Sequence, residues 1–210
     1  MKVLELFAGS CSFSNVAATY GFKTYTTDHK QYETKINQIV DIFNFNINKV
    51  PFNPDIIWAS PPCTTFSIAS CGTHWTAPDK NGYREPKTNQ AESGLLMLEQ
   101  TIWIMSNLQP KYYFIENPRG LMRKMGAVQH LPRYTVSYCQ YGDTRMKPTD
   151  IWTNLKFDAK LCKNGMPCHE PAPRGSRTGT QGLKNNHERS KIPNLLCKEI
   201  IETILQKEND

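Results

Sequence analysis

The sequence predicts an α/β fold: a mostly parallel sheet flanked by helices, with one small irregular insertion. Three observations carry that expectation. Short apolar, β-rich runs alternate with helical patterns over most of the chain. The first run empties into a small-residue turn, Ala8-Gly9-Ser10, just ahead of a helix. And 210 residues with 39% apolar content suffice to bury one sizeable core.

Taken in order, Lys2–Phe7 reads as the first strand and Ser12–Tyr20 as a helix ended by Gly21. Lys23–Thr27 is a second strand ending at Asp28, and Ile36–Val40 leads in the same way to Asp41. Pro51 and Pro54 punctuate the chain before a strand at Asp55–Ala59. A polar stretch from Ser70 to Asn89 precedes a strong helical pattern at Gln90–Leu108, then Pro110 and a strand at Tyr112–Ile115. A strand pair is expected at Tyr134–Tyr138 and Ile151–Thr153. Leu195, Leu196, Ile200, Ile201 and Ile204 recur at helical spacing within Pro193–Leu205, which should pack back on the sheet. Residues 156–191 differ in kind, rich in Gly and Pro and poor in large apolar side chains, so one domain (1–155 with 192–210) is expected to carry a short insertion (156–191).

Composition excludes several classes. With 21% charged and 10% aromatic residues and no low-complexity tract, the chain should not be disordered or fibrous. No apolar run approaches the ~18–20 residues that span a bilayer, and the opening MKVLELFAGS lacks the features of an export signal, so a soluble, cytoplasmic protein without membrane contact is expected. Seven cysteines, an odd number in a chain of this length, should be mostly free thiols. Between Lys156 and Lys198 nine Lys/Arg face three acids, an excess equal to the whole net charge of +6. Such a patch suits a polyanion such as nucleic acid, or is a solvated loop face.

Four segments point to chemistry. The turn after Leu4-Glu5-Leu6-Phe7 lets backbone N–H groups approach a ligand, although many α/β proteins keep a tight first turn for packing alone. Asp28 and Asp41, at the ends of the next strands, could receive ribose hydroxyls and an adenine amino group; each alone reads as well as a helix cap or surface acid. In Ser60-Pro61-Pro62-Cys63-Thr64-Thr65-Phe66-Ser67 two prolines restrict the backbone and aim a cysteine from a strand's carboxyl end. A core thiol needs no such presentation, so Cys63 reads as a nucleophile. In Phe114-Ile115-Glu116-Asn117-Pro118 an acid follows an apolar strand, and Tyr141-Gly142-Asp143-Thr144-Arg145-Met146-Lys147 brings fixed cations to the same edge.

In these motifs, in this order, the chain resembles the DNA (cytosine-5)-methyltransferase family: a Phe-x-Gly turn, a Pro-Pro-Cys loop, a Glu-Asn strand end, and Ile192-Pro193-Asn194-Leu195-Leu196 as the last motif. The resemblance implies a Rossmann-like fold dependent on S-adenosyl-L-methionine. The cofactor would be held by Phe7, Ala8, Gly9, Ser10, Cys11, Ser12, Asp28, His29, Asp41, Ile42, Pro61 and Asn194. It implies a DNA duplex as substrate with the target cytosine flipped out. Cys63 would add to carbon 6, Glu116 would hold the ring at nitrogen 3 and the amino group, and Arg145 would supply a cation, with Lys147 as its alternative. Ser67–Asn89 resembles the loop that closes over the flipped base, so Ser67, Thr73, His74, Trp75, Lys80 and Arg84 could contact nucleic acid, as could Arg174 and Arg177 of the insertion.

The chain departs from the family's pattern in three places. Cys11 stands where a second glycine is usual, the Gln-x-Arg-x-Arg element after Tyr-Gly is replaced, and the large target-recognition domain is reduced to the insertion. Base readout should therefore be short, relaxed or supplied by a partner protein. Cys162, Cys168, His169, His187 and Cys197 contain zinc-ligand residue types at an unusual spacing; free thiols and surface histidines, with no metal, are the expectation. A transfer-RNA substrate, amino-methylation of a base, and an inactive binding protein are the competing readings. A phage or restriction-modification setting is an association of the compact form.

Overall fold

The protein is described here from a computed structural model that covers residues 1–171 and 185–209. Side-chain alternation builds its sheet. Along Lys2–Leu6 (β1), Val3 packs with one apolar cluster while Leu4 and Leu6 pack with the other. Ile56–Ala59 (β4) repeats the pattern, with Ile56 and Trp58 on the first face and Ile57 and Ala59 on the second. Every residue of β4 is buried, as expected of a central strand covered on both faces.

Lys23–Asp28 (β2), Gln38–Ile39 (β3), Tyr112–Pro118 (β5), Arg133–Ser137 (β6) and Pro148–Thr153 (β7) complete one seven-stranded sheet, ordered β3-β2-β1-β4-β5-β7-β6. Pairing is parallel from β3 through β5, whereas β7 runs antiparallel to both its neighbours. This is the mostly parallel α/β sheet the sequence predicts. The order reverses beside β1, and the crevice at a switch point of this kind is where open α/β sheets bind ligands.

The helices are Ser12–Thr19 (α1), Cys71–His74 (α2), Asn89–Leu108 (α3), Gly126–Gln129 (α4), Asn186–Ser190 (α5) and Asn194–Asn209 (α6). Helix α3 begins where the Thr88 hydroxyl accepts the Ala91 N–H and ends at Gln109 in the left-handed conformation. It buries Leu98, Ile104 and Met105 on the second face of the sheet. Helix α6 buries Leu196, Ile200, Ile201 and Ile204 on the first face, together with Phe13 and Ala17 of α1. There Phe13 stacks on Trp58 at 4.6 Å, and Trp58 on Phe114 at 5.3 Å. No helix among the described residues is long and apolar enough to cross a membrane.

Three expectations change. The strand expected at Ile36–Val40 shrinks to two residues, because β3 is the sheet edge and Ile39 stands 56% exposed. The strand expected to stop at Ile115 runs on to Pro118, since β7 supplies a partner as far as Thr149. And the polar stretch before α3 is not a bare loop. Trp75 is 1% exposed, stacks on Phe66 and donates its indole N–H to the Thr65 carbonyl at 2.9 Å. Trp75 is therefore an anchor of this segment and no contact for phosphate.

Candidate active site

The turn after β1 is built from positive φ angles. Phe7, Gly9 and Cys11 stand at φ 55°, 49° and 54°. Cys11 occupies the left-handed conformation that a second glycine would favour, and it stays there with its side chain buried. Burial, then the neighbouring Glu5, pushes its thiol up to about 12. It is a packing cysteine.

Glu5 is the residue that sequence reasoning passed over. It is 2% exposed and accepts N–H bonds from Phe13 (3.3 Å) and Ser14 (2.8 Å), the opening residues of α1. Burial pushes its carboxyl up to about 7. An acid in the middle of an apolar strand was the signal available in the sequence.

Asp28 ends β2 with its side chain against the turn, accepting the Gly9 N–H through Oδ2 at 3.0 Å. Its Oδ1 is buried, with His29 Nδ1 2.7 Å away. A buried carboxylate beside a glycine turn at the end of the second strand fits a ribose hydroxyl. Asp41 is exposed and accepts the Phe43 N–H at 3.0 Å, capping a short 3-10 turn that begins at the buried Ile42. Ser10 and Ser12 share a hydrogen bond at 2.7 Å, and Ser12 also accepts the Ile192 N–H, which brings the start of α6 to the turn. Asn194 is exposed there, and Ala8 is buried.

Cys63 follows β4 by four residues, and Glu116 lies in β5 one residue beyond the Ala59–Ile115 pair, so both sit at the carboxyl edge of adjacent parallel strands. Asn117 links them: its side-chain amide donates to the buried Pro61 carbonyl at 2.8 Å, tying the Pro-Pro-Cys loop to β5. Gly120 completes the clamp. The Leu121 N–H donates to the Phe66 carbonyl at 2.7 Å, and a Cβ at Gly120 would overlap that oxygen. Glu116 is 4% exposed and accepts the Tyr138 hydroxyl at Oε1, 2.8 Å away.

The charges around the sulfur are unequal. Burial first and Glu116 second push the Cys63 thiol above its usual range, while Lys147 and Arg189 pull it back. Lys147 sits over the Tyr138 ring at 4.4 Å and donates to the Arg189 carbonyl at 2.9 Å. Burial lowers its own pKa, and Glu116 opposes that shift. Arg145 is placed differently. It is 6% exposed, clasps Asp143 through Nε at 2.8 Å and through its second nitrogen, and donates to the Glu188 and Arg189 carbonyls. Lys147, which lies over the ring of the Glu116 partner Tyr138, is thus a cation that acts on the Cys63 thiol, while Arg145 is engaged by Asp143.

The expected nucleic-acid contacts divide. Thr73 and Lys80 are exposed. Ser67 bonds Ser70 at 2.7 Å, His74 bonds Thr88 at 2.8 Å and Arg84 donates to the Thr76 carbonyl at 2.8 Å, so these three shape the segment itself. Arg174 and Arg177 lie outside the described residues. The cysteine and histidine group also divides. Cys162, Cys168 and His169 come together with Cys139, a residue no spacing pointed to. His169 is 8% exposed and no surface histidine. His187 stacks on Tyr32 at 5.1 Å, and Cys197 is sealed in the core.

Residues 1–131 match the family described as C-5 cytosine-specific DNA methylase. A protein of Frog virus 3 (isolate Goorha), named as a probable DNA (cytosine-5)-methyltransferase, is 31% identical over 186 residues, covering 84% of this chain and 83% of the viral one. The crystal structure of a candidate DNA modification methyltransferase encoded within an E. coli prophage superposes with a TM-score of 0.51 at 18% identity, covering 82% of this chain. The chain spans about half (52%) of the length of that solved protein, whose likeness is one of fold.

Proposed function

Since this chain belongs to the C-5 cytosine-specific DNA methylase family, we propose that it methylates carbon 5 of cytosine in duplex DNA, through a transient bond between Cys63 and the base. The observation that carries this reading is the shared edge of β4 and β5, where Asn117 ties the loop of Cys63 to the strand of Glu116.

Carbon 5 of cytosine is a poor nucleophile. Addition of the Cys63 sulfur to carbon 6 moves the ring electrons toward carbon 5 and nitrogen 3. Glu116, with one oxygen fixed by Tyr138, accepts the amino N–H and shares a proton with nitrogen 3, which neutralises the negative charge that develops there. S-adenosylmethionine, the family's methyl donor, supplies an electrophilic methyl group when bound. The turn Phe7–Ser12 and the Asp28 carboxylate would hold its nucleoside, with His29, Asp41, Ile42, Pro61 and Asn194 around it. Once carbon 5 is substituted, its proton leaves and the carbon–sulfur bond breaks, returning Cys63. Lys147 takes the cationic role expected of Arg145, favouring the Cys63 thiolate.

The base must leave the helix stack for either ring face to be reached. Thr73 and Lys80, exposed on the segment anchored by Trp75, are our candidates for contacting the DNA around it. Residues 156–191 serve as a reduced recognition region, and its basic excess binds phosphate without reading sequence, so specificity is short or lent by a partner protein.

A duplex carrying 5-fluorocytosine tests the chemistry, because fluorine cannot leave carbon 5 as a proton does. With S-adenosylmethionine, the protein should form an adduct stable to denaturing electrophoresis, and Cys63→Ser should form none. Methylation of unmodified DNA without any trapped adduct would favour transfer to an amino group. Methyl incorporation into transfer RNA but not duplex DNA would transfer the reading to RNA.

A further inference from the structure

We propose that Cys139, Cys162, Cys168 and His169 bind a structural zinc ion that fastens the start of the insertion to the catalytic edge. The four ligand atoms lie within 4.8 Å of one another. Cys162 Sγ is 3.2 Å from Cys168 Sγ, and Cys168 Sγ is 3.8 Å from Cys139 Sγ. His169 Nδ1 is 3.6 Å from both Cys162 and Cys168. A tetrahedral zinc with bonds of about 2.3 Å to sulfur and 2.0–2.1 Å to nitrogen has S–S edges of about 3.8 Å and S–N edges of about 3.6 Å. The Cys168–Cys139 edge and both edges to His169 match those figures, the Cys162–Cys168 edge is shorter, and all three cysteines are free thiols.

Three thiolates and an imidazole form a soft donor set that selects zinc over magnesium or calcium. On binding, the three thiols release their protons to solvent, and the complex carries one net negative charge. Gln140 is ready to meet that charge: its amide nitrogen lies 3.2 Å from Cys168 Sγ and 3.9 Å from Cys139 Sγ, a donor aimed at two ligand sulfurs. Four protein ligands leave no open position, so the site is structural and takes no part in methyl transfer.

The segment it would hold has little core of its own. Leu161 and Met166 are 61% and 51% exposed. Backbone contacts already align it with the catalytic side: Ser137 N–H donates to the Lys160 carbonyl, and Glu170 N–H to the Thr144 carbonyl, both at 2.9 Å. Cys139 stands next to Tyr138, the partner of Glu116, so a metal there couples the insertion to the acid's support. In a chain with so small a recognition region, metal ligation replaces the missing apolar core.

The test is metal analysis of the full-length chain purified without chelators from zinc-supplemented cells. About one zinc per chain is expected in the wild type and in the control Cys71→Ser, whose thiol lies outside the cluster, and at most about a tenth of that in Cys139→Ser and Cys168→Ser. Wild type without stoichiometric metal, zinc retained in both variants, or a Cys162–Cys168 disulfide in the wild type would overturn the proposal. Should the variants fail to fold, cobalt titration of metal-stripped wild type decides. Tetrahedral thiolate–cobalt absorption saturating at about one equivalent supports the site, and its absence overturns it.

Discussion

At the scale of single residues, the sulfur of Cys63 is held in conflict: its burial and the neighbouring Glu116 disfavour the thiolate, and Lys147 and Arg189 favour it. Removing one of those cations should be visible in kinetics. Lys147→Gln is expected to lower kcat/KM at pH 7 by about tenfold, the effect of one nearby charge on an ionisation. Because the substitution pushes the thiol pKa further up, part of the loss should be regained as pH rises, and the variant's pH–rate profile should lie on the alkaline side of the wild type. An unchanged profile would place the cation's role elsewhere. Cys63 and Glu116, the residues proposed to react, stand out in the sequence because Pro-Pro-Cys and Glu-Asn are local patterns. Lys147 over Arg145 does not, because the choice depends on Asp143 folding back onto Arg145 and on the positive φ at Lys147, neither of which a residue type announces.

At the scale of elements, the catalytic edge is a junction between the loop after β4 and the end of β5, made by close backbone approach. Gly120 is the tightest point. Adding a methyl in Gly120→Ala forces the Phe66 backbone away, costing about 1–3 kcal/mol in the manner of overpacking. The expected result is a lower Tm together with a kcat reduced by at least tenfold, whereas Gly72→Ala, where a Cβ meets nothing within 4 Å, should leave both near wild type. Differential scanning calorimetry and initial-rate assays check the pair. The periodicities of α3, α6 and the first strands gave those elements to within a few residues. What periodicity could not give was the extension of β5 through Glu116 and Asn117, which exists because β7 comes back antiparallel beside it. Nor could it reveal the anchoring of Trp75, a contact between side chains on one small excursion of the chain.

At the scale of the molecule, Glu5 links the stability of the whole fold to pH. Its carboxyl titrates at about 7 when folded, against 4.5 for an unperturbed glutamate. The native state therefore binds a proton that the unfolded chain has lost, and the stability this confers is complete below pH 4.5 and disappears as pH rises to about 7. The full change is about 3 kcal/mol. Glu5→Gln should not show it, so chemical denaturation of both proteins from pH 4.5 to pH 7.5 should move the stability difference in the variant's favour by roughly that amount. A constant difference would mean that Glu5 is ionised throughout. The general architecture was readable from the alternation of strands and helices, while Glu5's burial beneath α1 depended on which face the first helix covers.

The sheet order has one more consequence. In the proposed site the cofactor turn belongs to β1, its acid to β2, the sulfur to the loop after β4, the carboxyl to β5 and the cation to the approach to β7, and α6 braces the helix that follows the turn. Its parts are thus spread over remote stretches of the described chain. If that site is the working one, a truncated product should be chemically silent until its remote parts have met, and any methyl mark would double as a record of intact enzyme.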